Sequence, residues 1–239
     1  MDMSRLAFVA ALEREVRPLS KHWQVRKREH EGREFLFYES REAVLVCGGI
    51  GAEAARRAAE AVIVLYSPDL LYSVGYAGAL DPALKVGDLL TPAQVIRASD
   101  GSRVDISTGR GILLSQNAVA SVTQKSRLRE SYGAQAIDME ASAVARAAEA
   151  RGVLFRAVKV ISDEFNFELP AIGRFVDTEG RFHQAHFTLH VLVRPWLWLP
   201  LVRIAGNSAH ATRALCAGLR EILSEEVPAD SSAQITERR

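Results

Sequence analysis

Ala43-Val44-Leu45-Val46-Cys47-Gly48-Gly49-Ile50-Gly51-Ala52-Glu53-Ala54 passes from a continuous apolar run, through a glycine loop, into an Ala-, Glu- and Arg-rich stretch that extends to Tyr66. A run that is apolar at every residue, not at alternate ones, suits a strand covered on both faces. The glycines at its end allow a tight turn into the helix predicted over 52–66. The pattern repeats outward from there. Residues 6–11 form another buried run, and 35–39 is joined to 43–47 by a polar turn at 40–42. Beyond Ser67-Pro68-Asp69, residues 70–74 read as a strand and 75–80 as a second small-residue loop. Residues 89–96 read as a strand interrupted near Pro92, 99–110 as a polar loop and 111–114 as a short strand. A charged stretch with helical spacing covers 117–130, and 134–137 is short and apolar. A strong helix over 139–151 stops at Gly152 and precedes a buried strand over 155–161. Residues 164–180 are rich in loop signals, and 209–224 form a closing amphipathic helix.

Strands that alternate with helices predict an α/β fold: a mixed, largely parallel central sheet with helices on both faces. The expected organisation is one domain over 1–226, with an extra apolar segment at about 169–205 and a polar tail over 227–239. In such sheets a ligand sits beyond the strand ends, where glycine loops gather. The motif Gly49-Ile50-Gly51-Ala52-Glu53-Ala54 fits G-x-G-x-x-A, but a dinucleotide site also needs an acid at the end of the next strand. Here that strand runs into Gly75-Tyr76-Ala77-Gly78, so a nicotinamide or flavin reading is set aside.

Bulk composition narrows the choice of partner. Thirty Lys and Arg balance 29 Asp and Glu, which gives no reason to expect nucleic acid. Cys47 and Cys216 are the only cysteines, so neither a disulfide framework nor a zinc site is expected. The six histidines form no convincing ligand set with carboxylates, and no metal or cofactor is expected. The apolar run 6–12 is too short for a secretory core and ends in charges, which reads as cytoplasmic. The one membrane-like stretch, 187–205, contains Arg194, Pro195, Pro200, Arg203 and His190 and is not expected to span. Its two prolines should bend or break any helix there. Peripheral contact with a membrane surface is one reading of it, and a packing arm or dimer contact the other.

Four segments in order resemble the methylthioadenosine/S-adenosylhomocysteine nucleosidases and the wider nucleoside phosphorylase and nucleosidase superfamily. They are Ala11-Leu12-Glu13-Arg14-Glu15-Val16; Gly48-Gly49-Ile50-Gly51; Gly75-Tyr76-Ala77-Gly78-Ala79-Leu80 through Leu84-Lys85-Val86-Gly87-Asp88; and Asp138-Met139-Glu140-Ala141 with Val160-Ile161-Ser162-Asp163. The resemblance implies cleavage of the N-glycosidic bond of a purine nucleoside, a homodimer, and no cofactor. It assigns Asp163 as the acid at purine N7, with Ser162 orienting it, and Glu15 as the carboxylate that activates water. It likewise assigns Glu140 as the clamp of the ribose diol, Met139 as the residue that packs on the sugar, and Tyr76, Ala77, Gly78 and Val119 as lining of the nucleoside site. Arg14, Gly49 and Gly51 form a candidate water or phosphate site. The chemistry needs such groups: a departing purine gathers electrons and takes up a proton, and a carboxyl desolvated at a strand end stays protonated more readily. Paired carboxylates follow the logic of glycoside hydrolysis. Other roles stay open on the residues alone: a helix N-cap for Asp163, a solvated first-turn residue for Glu140, an exposed helix start for Glu13 and Glu15, plain core for Met139.

The chain also departs from the nucleosidase pattern. Val119, after Ser115-Gln116-Asn117-Ala118, stands where an aromatic residue stacks on adenine; Tyr76 replaces a serine and Lys159 an arginine. The last third, with Arg194-Pro195-Trp196-Leu197-Trp198-Leu199-Pro200, resembles the hopanoid-associated phosphorylase branch. That resemblance implies a lipid-linked adenosine such as adenosylhopane as substrate. Methylthioadenosine or S-adenosylhomocysteine cleavage, a phosphate-dependent phosphorylase and a catalytically silent nucleoside-binding or membrane-associated protein are the alternatives.

Overall fold

The computed structural model describes residues 6–167 and 198–226. They form a mixed sheet of eleven strands, largely parallel at its centre, between two layers of helices. In chain order the elements are β1 (Leu6–Ala10), α1 (Glu13–Ser20), β2 (Gln24–His30), β3 (Arg33–Glu39), β4 (Ala43–Cys47), α2 (Ala52–Tyr66), β5 (Leu70–Ala79), β6 (Leu89–Leu90), β7 (Gln94–Arg97), β8 (Arg103–Asp105), β9 (Ile112–Ser115), α3 (Val122–Tyr132), β10 (Ala136–Asp138), α4 (Ala141–Ala150), β11 (Leu154–Asp163) and α5 (Trp198–Glu226). The main path of the sheet is β2-β3-β4-β1-β5-β10-β9-β7-β8, and β11 lies against β5 and β6.

Continuous apolar strands are explained by burial on both faces. Leu6, Phe8 and Ala10 of β1 pack with Val16 and Leu19 of α1 and with Leu215 and Leu219 of α5. Ala7 and Val9, on the opposite face, pack with Ala58, Ala59 and Val62 of α2 and Ala147 and Ala148 of α4. Each large side chain so buried contributes roughly 1.5–3 kcal/mol. The small residues of α2 and α4 let these two helices approach the sheet and each other closely.

β5 positions the site. On one edge it pairs in parallel with β11 from Leu70 to Gly78. On the other, β1 pairs with Leu70–Ser73 only, and β10 pairs with Gly78 and Ala79 in the antiparallel sense. Between them residues 74–77 have no strand partner on that edge, and this gap opens onto a cavity. At the end of β11 the register shifts between Ile161 and Asp163, so that Ser162 is an extra residue. A bulge of this kind re-aims the side chains that follow it, and here it delivers Asp163 to the cavity.

Several local expectations are corrected. Residues 75–79 are not a loop but the end of β5, held extended by pairing that the glycines alone do not announce. The strand β2 was hidden by its charges. It is an exposed edge strand in a hairpin with β3, turning at Glu31-Gly32 with positive φ at both residues, and charge on an edge strand discourages further pairing. β8 falls inside the stretch expected to be loop. α4 begins at Ala141, two residues later than expected. α5 begins at Trp198 with Pro200 in its first turn, where a missing N–H is tolerated, so Pro200 does not break it. Residues 169–197 and 227–239 lie outside the described residues, as does most of the apolar segment.

α3 starts at Val122, not near 117, because Ser121 caps it. The Ser121 hydroxyl accepts from the Gln124 amide, and the Gln124 side chain accepts from the Ser121 N–H. Ser121→Ala should therefore destabilise the protein by about 1 kcal/mol. Urea unfolding should show a lower midpoint with an unchanged slope; an unchanged midpoint would deny this cap any weight.

Candidate active site

The gap in β5 forms one wall of a cavity of about 210 Å³ lined by residues from β5, α1, the turn before α3, β10 and the end of β11. Glu15, Glu140 and Asp163, distant in sequence, all line it, with Arg14, Tyr76, Ala77, Gly78, Val119, Met139 and Ser162.

Asp163 is buried at the bulge. Ser162 Oγ lies 2.9 Å from its Oδ1, within reach to donate. Gly78 makes room for the carboxylate: a Cβ there would lie 2.9 Å from Oδ2. No helix follows in residues 164–167, so the N-cap role is not taken up. One residue the sequence did not single out also meets this carboxyl group. Lys125 Nζ, also buried, donates to Asp163 Oδ2 at 2.7 Å and to the Glu164 carbonyl at 3.0 Å. Within the charged stretch 117–130, Lys125 carries no distinguishing signal; only the capped start of α3 turns it inward.

Glu140 stands at the N-terminus of α4 without capping it. Its Oε1 accepts from the Gly51 N–H at 2.9 Å and its Oε2 from the Met139 N–H at 3.2 Å. Burial, then the neighbouring Asp138 charge, raises its pKa to about 7, against the opposing pull of Lys159 and the two amides. Asp138 is the anchor for this segment. It accepts a short hydrogen bond from Ser115 Oγ, another from the Ala141 N–H at 2.8 Å, and an ion pair from Lys159 at 2.9 Å. Lys159 is thus committed to Asp138, and half-buried Met139 is carried between the two carboxylates to the cavity wall.

Glu15 lies in the first turn of α1 beside an exposed Glu13, so only one of the pair is a surface residue. Burial, and next the charge of Glu140, raises its pKa to about 8. Its Oε2 has no hydrogen-bond partner among the described residues. Gly75, at φ +142°, permits this placement, since a Cβ would lie 2.7 Å from that oxygen. A buried carboxylate oxygen without a partner is a place for a water or a ligand hydroxyl.

The expected phosphate loop is occupied by the protein itself. The Gly49 N–H donates to the Ala11 carbonyl at 3.0 Å and the Gly51 N–H to Glu140, which leaves exposed Arg14 as the member of that set facing the cavity. The Tyr76 hydroxyl is tied to α5, 2.6 Å from Thr212 Oγ1 and 3.1 Å from the Ser208 carbonyl. Val119 sits at the cavity wall, more than a third exposed, and Phe167, unremarked in the sequence, lines it as well. Among the described residues no His, Cys, Asp and Glu cluster could hold a metal, and no helix is long and apolar enough to cross a membrane.

Sequence comparison matches the chain to the Phosphorylase superfamily over residues 5–111 and 99–185. The chain belongs to this superfamily. Among curated relatives it is 26% identical over 164 residues to a 5′-methylthioadenosine/S-adenosylhomocysteine nucleosidase of Staphylococcus aureus, covering 54% of this chain and 72% of the relative. A nucleosidase of the same name from Marinomonas sp. is 31% identical over 118 residues, 48% of each chain. The fold is shared with solved superfamily structures. The apo 5′-methylthioadenosine nucleosidase of Arabidopsis thaliana aligns with TM-score 0.74 at 16% identity, covering 96% of this chain and 98% of that one. The Neisseria meningitidis nucleosidase, solved with methylthio-immucillin-A, aligns with TM-score 0.69 at 18% identity, over 93% and 100% of the two chains.

The raised pKa of Glu15 has a signed consequence for stability. The folded protein holds a proton there that the unfolded chain releases near pH 4.5, so stability falls as pH rises from about 4.5 towards 8. Glu15→Gln should be more stable than wild type at pH 8.5 by a few kcal/mol, and the difference should shrink below about pH 5. Denaturant midpoints at the two pH values check this; a variant less stable at pH 8.5 contradicts it.

Proposed function

We propose that this chain cleaves the N-glycosidic bond of an adenine nucleoside carrying a 5′ substituent, by hydrolysis. The observation that carries the reading is the buried Oε2 of Glu15, without a partner among the described residues, in the same cavity as Glu140 and Asp163. As the bond breaks, the sugar becomes cationic and the purine gains an electron pair. Asp163 would serve the purine, Glu140 the ribose hydroxyls, and Glu15 in its ionised form, whose share grows as pH rises towards about 8, would take a proton from the attacking water. Engagement of the Gly49 and Gly51 amides inside the protein favours water over phosphate as acceptor. The activity printed for the Staphylococcus aureus relative, a methylthioadenosine/S-adenosylhomocysteine nucleosidase, supports the same reaction class.

Asp163→Asn should lower adenine release about 10²–10⁴-fold, because an amide cannot pass a proton to the base. Near wild-type turnover by a folded variant would remove Asp163 from the chemistry. Equal rates for the wild type with and without phosphate would fit hydrolysis, and strict phosphate dependence would overturn it.

The 5′ substituent we favour is a long apolar one, as in a lipid-linked adenosine such as adenosylhopane; methylthioadenosine is the second reading. The Trp- and Leu-rich stretch around Arg194-Pro195-Trp196-Leu197-Trp198 motivates the choice, and it would also give a cytoplasmic enzyme, a homodimer on the family resemblance, a weak hold on a membrane surface. Trp196→Ala with Trp198→Ala should reduce activity on the lipid-linked substrate more than on methylthioadenosine. Equal losses, with no vesicle co-sedimentation of the wild type, would make this segment a packing arm.

A further inference from the structure

We propose that Lys125 supplies the proton that the departing purine takes up, with Asp163 as the group that hands it on. The inference rests on the N-glycosidase reading and adds a residue to it. Lys125 and Asp163 are both buried, 2.7 Å apart, and both line the cavity. The two form a buried ion pair, which places a proton-bearing group directly behind the carboxyl that faces the purine. Two of the three ammonium N–H groups are engaged, by Asp163 Oδ2 and the Glu164 carbonyl, and the third has no partner among the described residues. Ser162 and Gly78 fix the carboxylate on its other sides. Asp163 can therefore accept a proton from Nζ and then hand it to the base.

The step balances as follows. The C1′–N9 bond breaks and its electron pair goes to the purine. The Lys125 proton passes to Asp163 and from Asp163 to N7, which leaves Lys125 a neutral amine. Water adds to C1′ and releases its proton to Glu15 in its ionised form, and exchange with solvent resets both groups. The acidity of a purine N–H is comparable to that of an alkylammonium ion, so this transfer needs no stronger acid. An ammonium is also the better resident in the pair: it neutralises Asp163 before reaction and withdraws only as charge develops on the base.

The test compares methylthioadenosine with p-nitrophenyl β-D-ribofuranoside, whose leaving group departs without a proton. Lys125→Met should lose about 10²–10³-fold in kcat on methylthioadenosine and less than about 10-fold on the nitrophenyl riboside. Its rate on methylthioadenosine should climb as pH falls, because solvent is then the remaining source of the proton. Lys125→Arg keeps the charge but does not release a proton, so it should stay slow on methylthioadenosine and near wild type on the nitrophenyl riboside. Should the methionine variant not fold, the arginine variant carries the comparison. Recovery of wild-type rates by Lys125→Arg, or equal losses on both substrates, overturns the proposal. A wild type that cleaves the nitrophenyl riboside but no adenine nucleoside overturns the functional reading instead.

Discussion

A carboxylate withdrawn from water must find other partners, and the site is organised by how differently four carboxyl groups meet that demand. Asp138 is saturated by Ser115, the Ala141 N–H and Lys159. Asp163 is paired with Lys125 and held by Ser162. Glu140 receives two backbone N–H groups, and one oxygen of Glu15 receives nothing from the described residues. The sequence of decreasing satisfaction is also a sequence of decreasing structural role. Asp138 fixes backbone, whereas Glu15 is left with bonding capacity for a ligand. Buried charges are costly unless paired, so leaving Glu15 and Glu140 under-satisfied is a stability sacrifice confined to the cavity, visible as their raised pKa values.

The sheet makes that arrangement possible by failing to close. β11 covers one edge of β5 fully, while β1 and β10 leave 74–77 uncovered on the other. Unpaired backbone in a central strand is tolerated where a cavity meets it, and small residues there admit side chains from elsewhere. Gly75 accommodates Glu15, and Gly78 accommodates Asp163. The two glycines are required by what approaches them, not by a turn. This is why the stretch resembles a loop in sequence and is a strand in three dimensions.

Much of the frame was legible from one dimension. Continuous apolar runs at β1, β4 and β11 marked doubly covered strands, and Ala-rich stretches marked α2 and α4. Glu15, Glu140 and Asp163 were nominated through a resemblance carried by short motifs. Charged β2 was not legible, because an edge strand in a hairpin is stabilised by pairing with β3 and needs no buried face. Phe167 and Thr212 gave no signal because their importance depends on which cavity wall or which tyrosine they meet.

The sequence by itself determined the class of fold and the residue types available for glycosidic chemistry, since burial pattern and helix signals are local and survive without tertiary context. Only the tertiary structure decided the charge environment of each group. Lys125 and Asp163 are 38 residues apart, and nothing local predicts that a capped helix start and a strand bulge will bring an ammonium and a carboxylate into contact. The Gly49 and Gly51 amides, equally, were free to cradle an anion until folding gave them Ala11 and Glu140 as acceptors. Coulomb energy and desolvation depend on distance and enclosure, and both are properties of the packed chain, not of its order of residues.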